Sequence, residues 1–530
     1  MVNQVKRIVQ QATNGTSEDP HTHGIELDST HNNVEERRAT PTSKHKSVTN
    51  EMDSPIVHLL PPEILSHIFT FYPIDFDHMT PLFLGSVCRR WREVAWSTPE
   101  LWTYISVHLT NQIFGVIQRC SLWLDRSGVL PLNIRISSDI SVPVNHSKTR
   151  AGINSLIATL QNHSRRWRHL DILTSIFLVM DHECPLESLR ISRYSNNVTV
   201  TPYISMECLP NLRKIYLSSV SLNRLHIQWN NVTHIKLASP FHISDCWNIF
   251  QRCPKLVYCS FSSVTNGSGG AILGIIRLPS LKVLELGHSE WHSTDPLVLN
   301  SLELPALEEL RYGCLSSPSE TGSLLSLFKR SSCRLQSLIF ESTRVSWDGF
   351  VPLLKYLPDL KKLSFKTELC YRGLFAELSR TPHNFLPTLE ILDYTGPRIF
   401  TWATLALILG AACSSSTTLP CPRDMPIVCQ HPPSVTSRPL KAIIFAIRSA
   451  GRKYPDAQSI PRFMNVLGKG VYLGLRHAVM DGKTAIASDD LLESVIKTHC
   501  RSELDRYIVL QTQTWKRCRG HFSSPDYWST

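Results

Sequence analysis

The sequence predicts an α/β protein in which a small three-helix domain is followed by a solenoid of repeats with a curved parallel sheet. Residues 54–109 contain three short stretches with the apolar spacing of helices. Residues 167–394 repeat a leucine-based unit with a mean period of about 25 residues, which is typical of solenoids. The length of 530 residues also exceeds what one hydrophobic core accommodates, so several domains are expected.

Each of the three helical stretches begins with a proline in its first turn. The first starts at LPPE of residues 60–63, the second at TP of residues 80–81 and the third at STPE of residues 97–100. The apolar positions that follow are Ile64, Leu65, Ile68, Phe69, Leu84, Val87, Cys88, Trp91, Val94 and Ala95. So small a domain is marginally stable alone. We therefore expect a partner protein or the rest of the chain to cover Pro61, Ile64, Leu65 and Trp91.

Three motifs in this region carry a family resemblance: L-P-x-E-I-L-x-x-I-F, L-x-x-V-C-R-x-W-R-x-V-A and T-P-x-L-W. Residues 54–109 resemble an F-box-like domain, of the form abundant in fungal (basidiomycete-type) proteins. The resemblance implies docking to the Skp-type adaptor of a cullin–RING ubiquitin ligase. The adaptor-binding residues that it implies are Leu60, Pro61, Pro62, Ile64, Leu65 and Ile68, with Val87, Cys88, Trp91 and Val94 holding or extending the surface. The alternative is an ordinary three-helix subdomain without a partner.

The residues on either side of this domain differ in character. Residues 1–53 are rich in polar side chains and poor in large apolar ones, which predicts a disordered tail. Residues 110–165 are expected to lead into the solenoid. They comprise a helix over 109–124, a strand over 130–136 with period-two alternation, and a helix over 151–163.

The repeat over residues 166–395 has the form (Leu/Cys)-Pro-x-Leu-x-x-Leu-x-apolar. Its first apolar anchors are Trp167, Leu186, Leu212, Val232, Leu256, Leu281, Leu307, Leu335, Leu360 and Leu389. The last two apolar positions lie two apart, so they point to one side of a short strand, and stacked units bury a continuous core. The region resembles irregular leucine-rich repeats. The alternative is a non-solenoid α/β domain with coincidental leucines.

In such a solenoid, the residue between the last two apolar positions of each unit points outward on the concave sheet. These candidate target-binding residues are Asp171, Arg190, Tyr216, Lys236, Ser260, Glu285, Arg311, Ile339, Ser364 and Asp393. The row mixes charges, hydroxyls and an aromatic ring without a cluster of one sign. It therefore favours a protein target over nucleic acid.

The repeat signal weakens after residue 395. Residues 396–439 are predicted to form an irregular loop, because 411–437 lack apolar periodicity. Residues 440–530 are predicted to form a degenerate last repeat and a C-terminal cap. This region would include a strand over 440–445, a closing unit over 460–475, a helix over 489–497 and a frayed end of fifteen residues.

The composition of the chain indicates where the protein is located in the cell and which classes of partner it binds. The formal net charge of +11 is spread along the chain and argues only weakly for nucleic acid. The polar start lacks a signal peptide, so the 15 cysteines are expected to be reduced. The longest uncharged apolar run, near 402–413, is too short to span a bilayer. We expect no nucleic acid, no membrane, and a cytoplasmic and/or nuclear location.

The sequence lacks the common catalytic patterns. Gly482-Lys483-Thr484 ends like a phosphate loop, but His477 stands where that loop needs glycine. No G-x-S-x-G, H-E-x-x-H or C-x-x-C occurs, so we expect no catalytic residue, no cofactor and no metal.

Together these features predict a non-enzymatic substrate-recognition subunit of a Skp–cullin–F-box ubiquitin ligase, in which the repeats bind an unknown protein target. The alternatives are an interaction scaffold outside the ubiquitin system and, least favoured, an enzyme.

Overall fold

The structure is a computed structural model in which the backbone divides into two compact units, residues 1–174 and 175–530. It describes residues 60–522 except 72–79, 110–112, 139–146, 174–176, 181–182, 193–202, 266–273, 288–294, 345–346, 368, 370–371, 381–383, 410–437, 449–453, 457–458, 482–483 and 500–502. The predicted disordered tail 1–53 lies outside the described residues, as do residues 410–437 of the predicted loop 396–439. The expectation of an irregular loop is wrong for residues 402–408, which form a helix.

The first unit begins with helices and continues with alternating strands and helices. Its elements are α1 Pro62–Thr70, α2 Thr80–Val87, α3 Arg89–Trp96, a 3-10 turn Pro99–Trp102, β1 Tyr104–Leu109, α4 Ile113–Arg126, β2 Leu132–Ser138, α5 Ser147–Gln161, a 3-10 turn Ser164–Arg166 and β3 Trp167–Leu173. Strands β1, β2 and β3 pair in that order, all parallel. Strand β1 was not predicted, and the helix expected from residue 109 begins at Ile113.

Two indole rings fix the core of this unit. Trp102 is fully buried, its Nε1 donates to the carbonyl oxygen of Ala95 at 2.9 Å, and its ring meets Trp123 edge-on at 4.7 Å. Trp91 packs against Phe69 with a centroid separation of 4.9 Å. Helices α1 and α3 and the 3-10 turn are thereby joined to each other and to α4 through buried aromatic contacts.

The second unit is dominated by one long sheet. Its strands are β5 Ser188–Ser192, β7 Lys214–Ser218, β9 His234–His242, β10 Tyr258–Thr265, β12 Val283–Leu286, β14 Glu309–Leu315, β15 Ser337–Thr343, β16 Lys362–Thr367, β17 Ile391–Pro397, β18 Ala442–Arg448, β19 Tyr472–Asp481 and β20 Thr484–Asp490. They pair in that order, all parallel except the antiparallel pair β19–β20. This is a leucine-rich-repeat-like sheet, in which each predicted repeat from residue 186 to 395 contributes one strand.

Two small parallel sheets accompany the long one. The first comprises β4 Phe177–Met180, β6 Tyr203–Met206 and β8 Leu225–Ile227, and the second β11 Ile276–Arg277 and β13 Leu302–Glu303. The helices of the second unit are α6 Ile243–Arg252, α7 Asp295–Asn300, α8 Pro318–Ser331, α9 Trp347–Lys355, α10 Arg372–Arg380, α11 Trp402–Ile408, α12 Ile460–Gly468, α13 Leu491–His499 and α14 Leu504–Phe522, with a 3-10 turn at Leu222–Arg224.

The parallel register stacks the apolar positions of the repeats into continuous rows. One row is formed by residues that are each 0% exposed: Leu189, Ile215, Ile235, Cys259, Leu284, Leu310, Leu338, Leu363, Leu392, Ile443 and Leu473. Two residues further along each strand, a second row includes Phe365, Tyr394 and Phe445, whose rings lie edge-on at 5.2 and 5.5 Å. The anchors from Leu186 to Leu389 are also buried, so the repeat pattern marks the core.

The C-terminal region covers the end of the long sheet. Strand β18, helix α12 and helix α13 are observed close to the predicted positions, whereas β20 and α14 were not predicted. The Gln511 side-chain amide donates to the carbonyl oxygen of Leu473 at 2.7 Å, and Cys518 packs with Ile391, Ala442 and Tyr472. The expectation of a frayed end is wrong for residues 516–522, which belong to α14. Helix α14 thus shields an otherwise open strand edge.

Arg438→Ala tests how strand β18 is held in register. Arg438 is only 6% exposed, and its guanidinium donates to the carbonyl oxygens of Leu378, Phe385 and Leu386. Because the substitution removes a buried donor that three carbonyls share, we expect a loss of about 3 kcal/mol in the free energy of unfolding, measured by urea denaturation.

The matched control is Lys441→Ala, which removes a partly exposed ion pair with Glu390. We expect this control to cost less than about 1 kcal/mol. Equal losses in the two variants would show that the arginine does not tie β18 to the preceding repeat.

Candidate docking surfaces

The segment that opens α1 is held in place by an arginine of α3. The Arg90 guanidinium donates to the carbonyl oxygen of Leu60, just before the helix. The carbonyl of Pro61 accepts the first helical hydrogen bond, from the amide of Leu65 at 3.0 Å. These contacts fix the backbone from Leu60 to Leu65, so the side chains of the first turn are presented in one conformation.

The structure divides the ten predicted adaptor-binding residues between the interior and the surface of the first unit. The members of the set that are buried are Leu65, Ile68, Trp91 and Val94. The half-buried members are Leu60, Val87 and Cys88, and the exposed ones are Pro61, Pro62 and Ile64. Leu65 and Trp91 are 0% and 1% exposed, so this chain itself covers them, which is one of the two kinds of cover that the sequence analysis expects.

The exposed members form a small apolar surface at the start of α1. Ile64 is 47% exposed and follows the two exposed prolines directly. Phe71, at the other end of the helix, is 58% exposed. A cluster of exposed apolar side chains on a fixed backbone is the kind of surface that protein partners cover.

The parallel register brings nine of the ten predicted target-binding residues into one row. They run across the long sheet in the order Arg190, Tyr216, Lys236, Ser260, Glu285, Arg311, Ile339, Ser364 and Asp393. Arg190 is exposed, Ser260 is buried and the others are half-buried. The tenth, Asp171, lies on β3 of the first unit and pairs with Arg135 at 3.7 Å.

A second row on the same face was missed by the sequence analysis. It lies two residues earlier in each strand and comprises Ser188, Lys214, His234, Tyr258, Val283, Glu309, Ser337, Lys362 and Ile391. Side chains two apart in a strand share a face, so the same period that located the first row could have located the second. We call the two rows together the polar face.

An ionic cluster occupies the middle of the polar face. The Nε of Arg311 lies 2.6 Å from a carboxylate oxygen of Glu309 and 3.2 Å from one of Glu285. Glu285 also accepts a hydrogen bond from the Tyr258 hydroxyl at 2.7 Å. Burial alone would lower the pKa of Arg311, but the two carboxylates outweigh it and raise the pKa. The guanidinium is therefore engaged within the sheet.

A desolvated carboxyl marks the far end of the row. Burial raises the pKa of Asp393, while the Ser364 hydroxyl, which donates to it at 3.0 Å, and the ammonium groups of Lys362 and Lys366 act in the opposite direction. Burial also disfavours the charged form of Lys362, and for an ammonium group this lowers the pKa. Partial removal from water thus makes both groups costly to ionise.

Comparison with known proteins identifies the domain that carries the exposed turn of α1. The F-box-like family model matches residues 57–108, so the chain carries an F-box-like domain followed by the leucine-rich-repeat-like sheet. The match covers the exposed first turn of α1. The fungal affinity stays a prediction, since this finding does not bear on the source.

Structure comparison finds ten similar chains, whereas no curated protein matches this sequence. One of the ten is the leucine-rich-repeat ectodomain of the plant membrane receptor kinase GASSHO1/SCHENGEN3 from Arabidopsis thaliana, in complex with CASPARIAN STRIP INTEGRITY FACTOR 2. It has 10% sequence identity and a TM-score of 0.20, over 64% of this chain and 44% of that ectodomain. The chain therefore spans less than half of that relative's length.

Membrane-spanning helices and metal sites are the two remaining features to consider in the described residues. No described helix is both long and apolar enough to cross a membrane. Within the described ranges, no group of three or more His, Cys, Asp or Glu side chains is placed to hold a metal ion.

Asp393→Asn tests the desolvation of the polar face. Because the folded-state pKa of this carboxyl is raised, its contribution to stability is present below the unfolded pKa and is lost as pH rises through the folded pKa. The amide keeps an acceptor for Ser364 and carries no charge. We therefore expect a thermal midpoint higher by on the order of 1–2 °C at pH 7.5, with the two proteins converging at acid pH.

The control is Asp359→Asn, at an exposed carboxyl. It should show no such difference between pH 4 and 7.5. A lower midpoint for Asp393→Asn at pH 7.5 would instead mean that the neighbouring lysines outweigh burial.

Proposed function

We propose that this protein is a non-enzymatic substrate-recognition subunit of a Skp–cullin–F-box-type ubiquitin ligase, acting in the cytoplasm and/or nucleus. The F-box-like domain would dock a Skp-type adaptor, and through it a cullin, while the polar face would bind a protein target. The observation that carries the proposal is the exposed apolar turn at Pro61, Pro62 and Ile64, inside a matched F-box-like domain.

Adaptor docking and target binding are assigned to separate parts of the chain. We assign adaptor docking to residues 54–109 and a linking role to 110–165. Target binding belongs to the repeats of 166–395, and residues 440–530 would form a degenerate last repeat with a C-terminal cap. Residues 1–53 and 396–439 have no assigned role.

Proximity is the contribution that such a subunit makes. Holding a target near the conjugating enzyme raises the effective concentration of its lysines, so the subunit needs no catalytic group of its own. Affinity for the adaptor would come from a few apolar side chains that lose water on docking. The exposed turn of α1 supplies such side chains on a backbone already fixed by Arg90.

One observation favours the alternative of an interaction scaffold outside the ubiquitin system. Leu65 and Trp91 are already covered within the first unit, so these helices have a core without an adaptor. Under that alternative, the polar face would still bind a partner, but the F-box-like domain would serve only structural packing. Binding of the adaptor distinguishes the two functions.

Pro61→Ala combined with Ile64→Asp should abolish co-purification of a Skp-type adaptor with the full chain. Both side chains are exposed, so the fold should persist while the docking surface loses its apolar character and gains a charge. We expect at least a tenfold loss of affinity, or about 1.4 kcal/mol, in a pull-down with titrated adaptor.

Leu122→Asp on α4 is the matched control, because Leu122 is 53% exposed and lies outside the matched domain. It should retain the adaptor. Undiminished adaptor binding by the double variant would refute the docking assignment.

A further inference from the structure

The polar face is divided along the sheet into an end that carries only cations and a remainder that carries both signs, where Arg311 and Lys362 lie among the carboxylates. Strands β5, β7 and β9 carry Arg190, Lys214 and Lys236 on this face, and their sequences contain no aspartate or glutamate. Carboxylates begin at β12 with Glu285 and continue with Glu309 and Asp393. The division becomes visible only when both rows of the face are considered together, because Lys214 belongs to the second row.

The three cations lie close enough to act together. Lys214 pairs with Ser188 and His234, while Arg190, Tyr216 and Lys236 are consecutive members of the first row. With about 4.8 Å between neighbouring strands, the whole group spans about 10 Å across the sheet. That distance is comparable to the Debye length of about 8 Å at physiological ionic strength, so their fields add. We call these three strands of the polar face the basic patch.

Aromatic rings shape the basic patch and orient its most exposed cation. The Cζ atom of Arg190 lies 4.3 Å from the ring centroid of Tyr216. The rings of His234 and Tyr258 stack at 6.0 Å with an interplanar angle of 20°. A guanidinium held over a ring loses less freedom when it binds a carboxylate, which it can contact through two parallel N–H groups.

The two lysines remain available for an incoming anion. Among the residues that the structure describes, neither the Lys214 nor the Lys236 ammonium group has a hydrogen-bond or ion-pair partner, and both residues are half-buried. By contrast, Arg311 in the neighbouring ionic cluster is held by two glutamates. Lys214 and Lys236 are thus available to an anionic partner, whereas Arg311 is not.

We propose that the basic patch binds an acidic segment of the target protein, with glutamate or aspartate side chains contacting Arg190, Lys214 and Lys236. The inference rests on the proposed function, since it names the chemistry of the target that the repeats would recognise. Charge complementarity selects an anionic partner. The short span favours a peptide over nucleic acid, because a phosphate backbone that continued along the sheet would meet Glu285 and Glu309.

The test measures binding of a fluorescein-labelled Glu-Ser repeat peptide to the full chain by fluorescence anisotropy. The Gln-Ser peptide is the neutral probe. We expect the acidic peptide to bind at least tenfold more tightly than the neutral one. Its affinity should fall as ionic strength rises from about 0.05 M to about 0.5 M, because screening shortens the reach of the charges.

Lys214→Gln with Lys236→Gln should lower affinity for the acidic peptide at least tenfold. The matched control is Lys329→Gln with Lys355→Gln, which removes the same charge from exposed positions on helices α8 and α9, outside the polar face, and should leave affinity unchanged within about twofold. Arg190→Gln, at an exposed position, is a second variant that should weaken binding without depending on the half-buried lysines.

Three results would overturn the inference: equal binding of the neutral peptide, equal loss in the control variant, or displacement of the peptide by poly(U) RNA at lower concentration. The last would assign the basic patch to nucleic acid. Adaptor co-purification, measured on the same variants, separates this inference from the proposed function. Loss of peptide binding with the adaptor retained concerns the basic patch alone, whereas failure of the unaltered chain to bind adaptor concerns the proposed function alone.

Discussion

In-register parallel pairing of successive strands is the constraint on which the second unit depends. One residue of slip in any strand would turn its buried leucine to the polar face and its charged residue to the core. The row from Leu189 to Leu473 is fully buried in every strand, which makes such a slip costly. The same register aligns Arg190 with Asp393 across nine strands, so packing of the core determines where the charges of the polar face lie.

Hydrogen bonds made by two arginines and one buried glutamate then hold the connections between strands, which apolar packing alone does not position. Arg330 donates to the carbonyl oxygens of Leu299 and Leu302, both at 2.8 Å, just as Arg438 does to carbonyls of its own preceding repeat. Glu320 closes a capping box with Ser317 at the start of α8. Such contacts contribute modestly when formed but are expensive to break, because they leave buried polar groups unsatisfied. They favour one arrangement of the connections between strands.

The repeat and the F-box-like helices could be predicted because both depend on local spacing. Leucines two and three residues apart predict a short strand and the buried residue before it, and this prediction does not depend on where the strand lies in the fold. Strand β1 was missed although Ile105, Val107 and Leu109 alternate with polar residues, because residues 54–109 had been assigned as a whole to a three-helix domain. Helix α14 was missed for a different reason: Tyr507, Thr514 and Cys518, which it buries, lie at helical spacing on one face but are only weakly apolar.

The candidate surfaces could be predicted only in part. Sequence spacing identifies which residues share a face, but it does not say whether that face meets another helix or water. For that reason Leu65 and Ile64, adjacent in the same motif, are 0% and 47% exposed. The cationic end of the polar face was likewise hidden, because it depends on the register that places Lys214, in the second row, on the strand between those of Arg190 and Lys236.

Hydrogen–deuterium exchange of the full chain with and without a Skp-type adaptor tests most directly whether the adaptor docks on the F-box-like domain and not on the repeats. Docking on the first turn of α1 predicts slower exchange of backbone amides over residues 63–71 when the adaptor is added, with no change in strands β5 to β9. Unchanged exchange over 63–71, or protection confined to the sheet, would contradict the assignment of adaptor docking to the F-box-like domain.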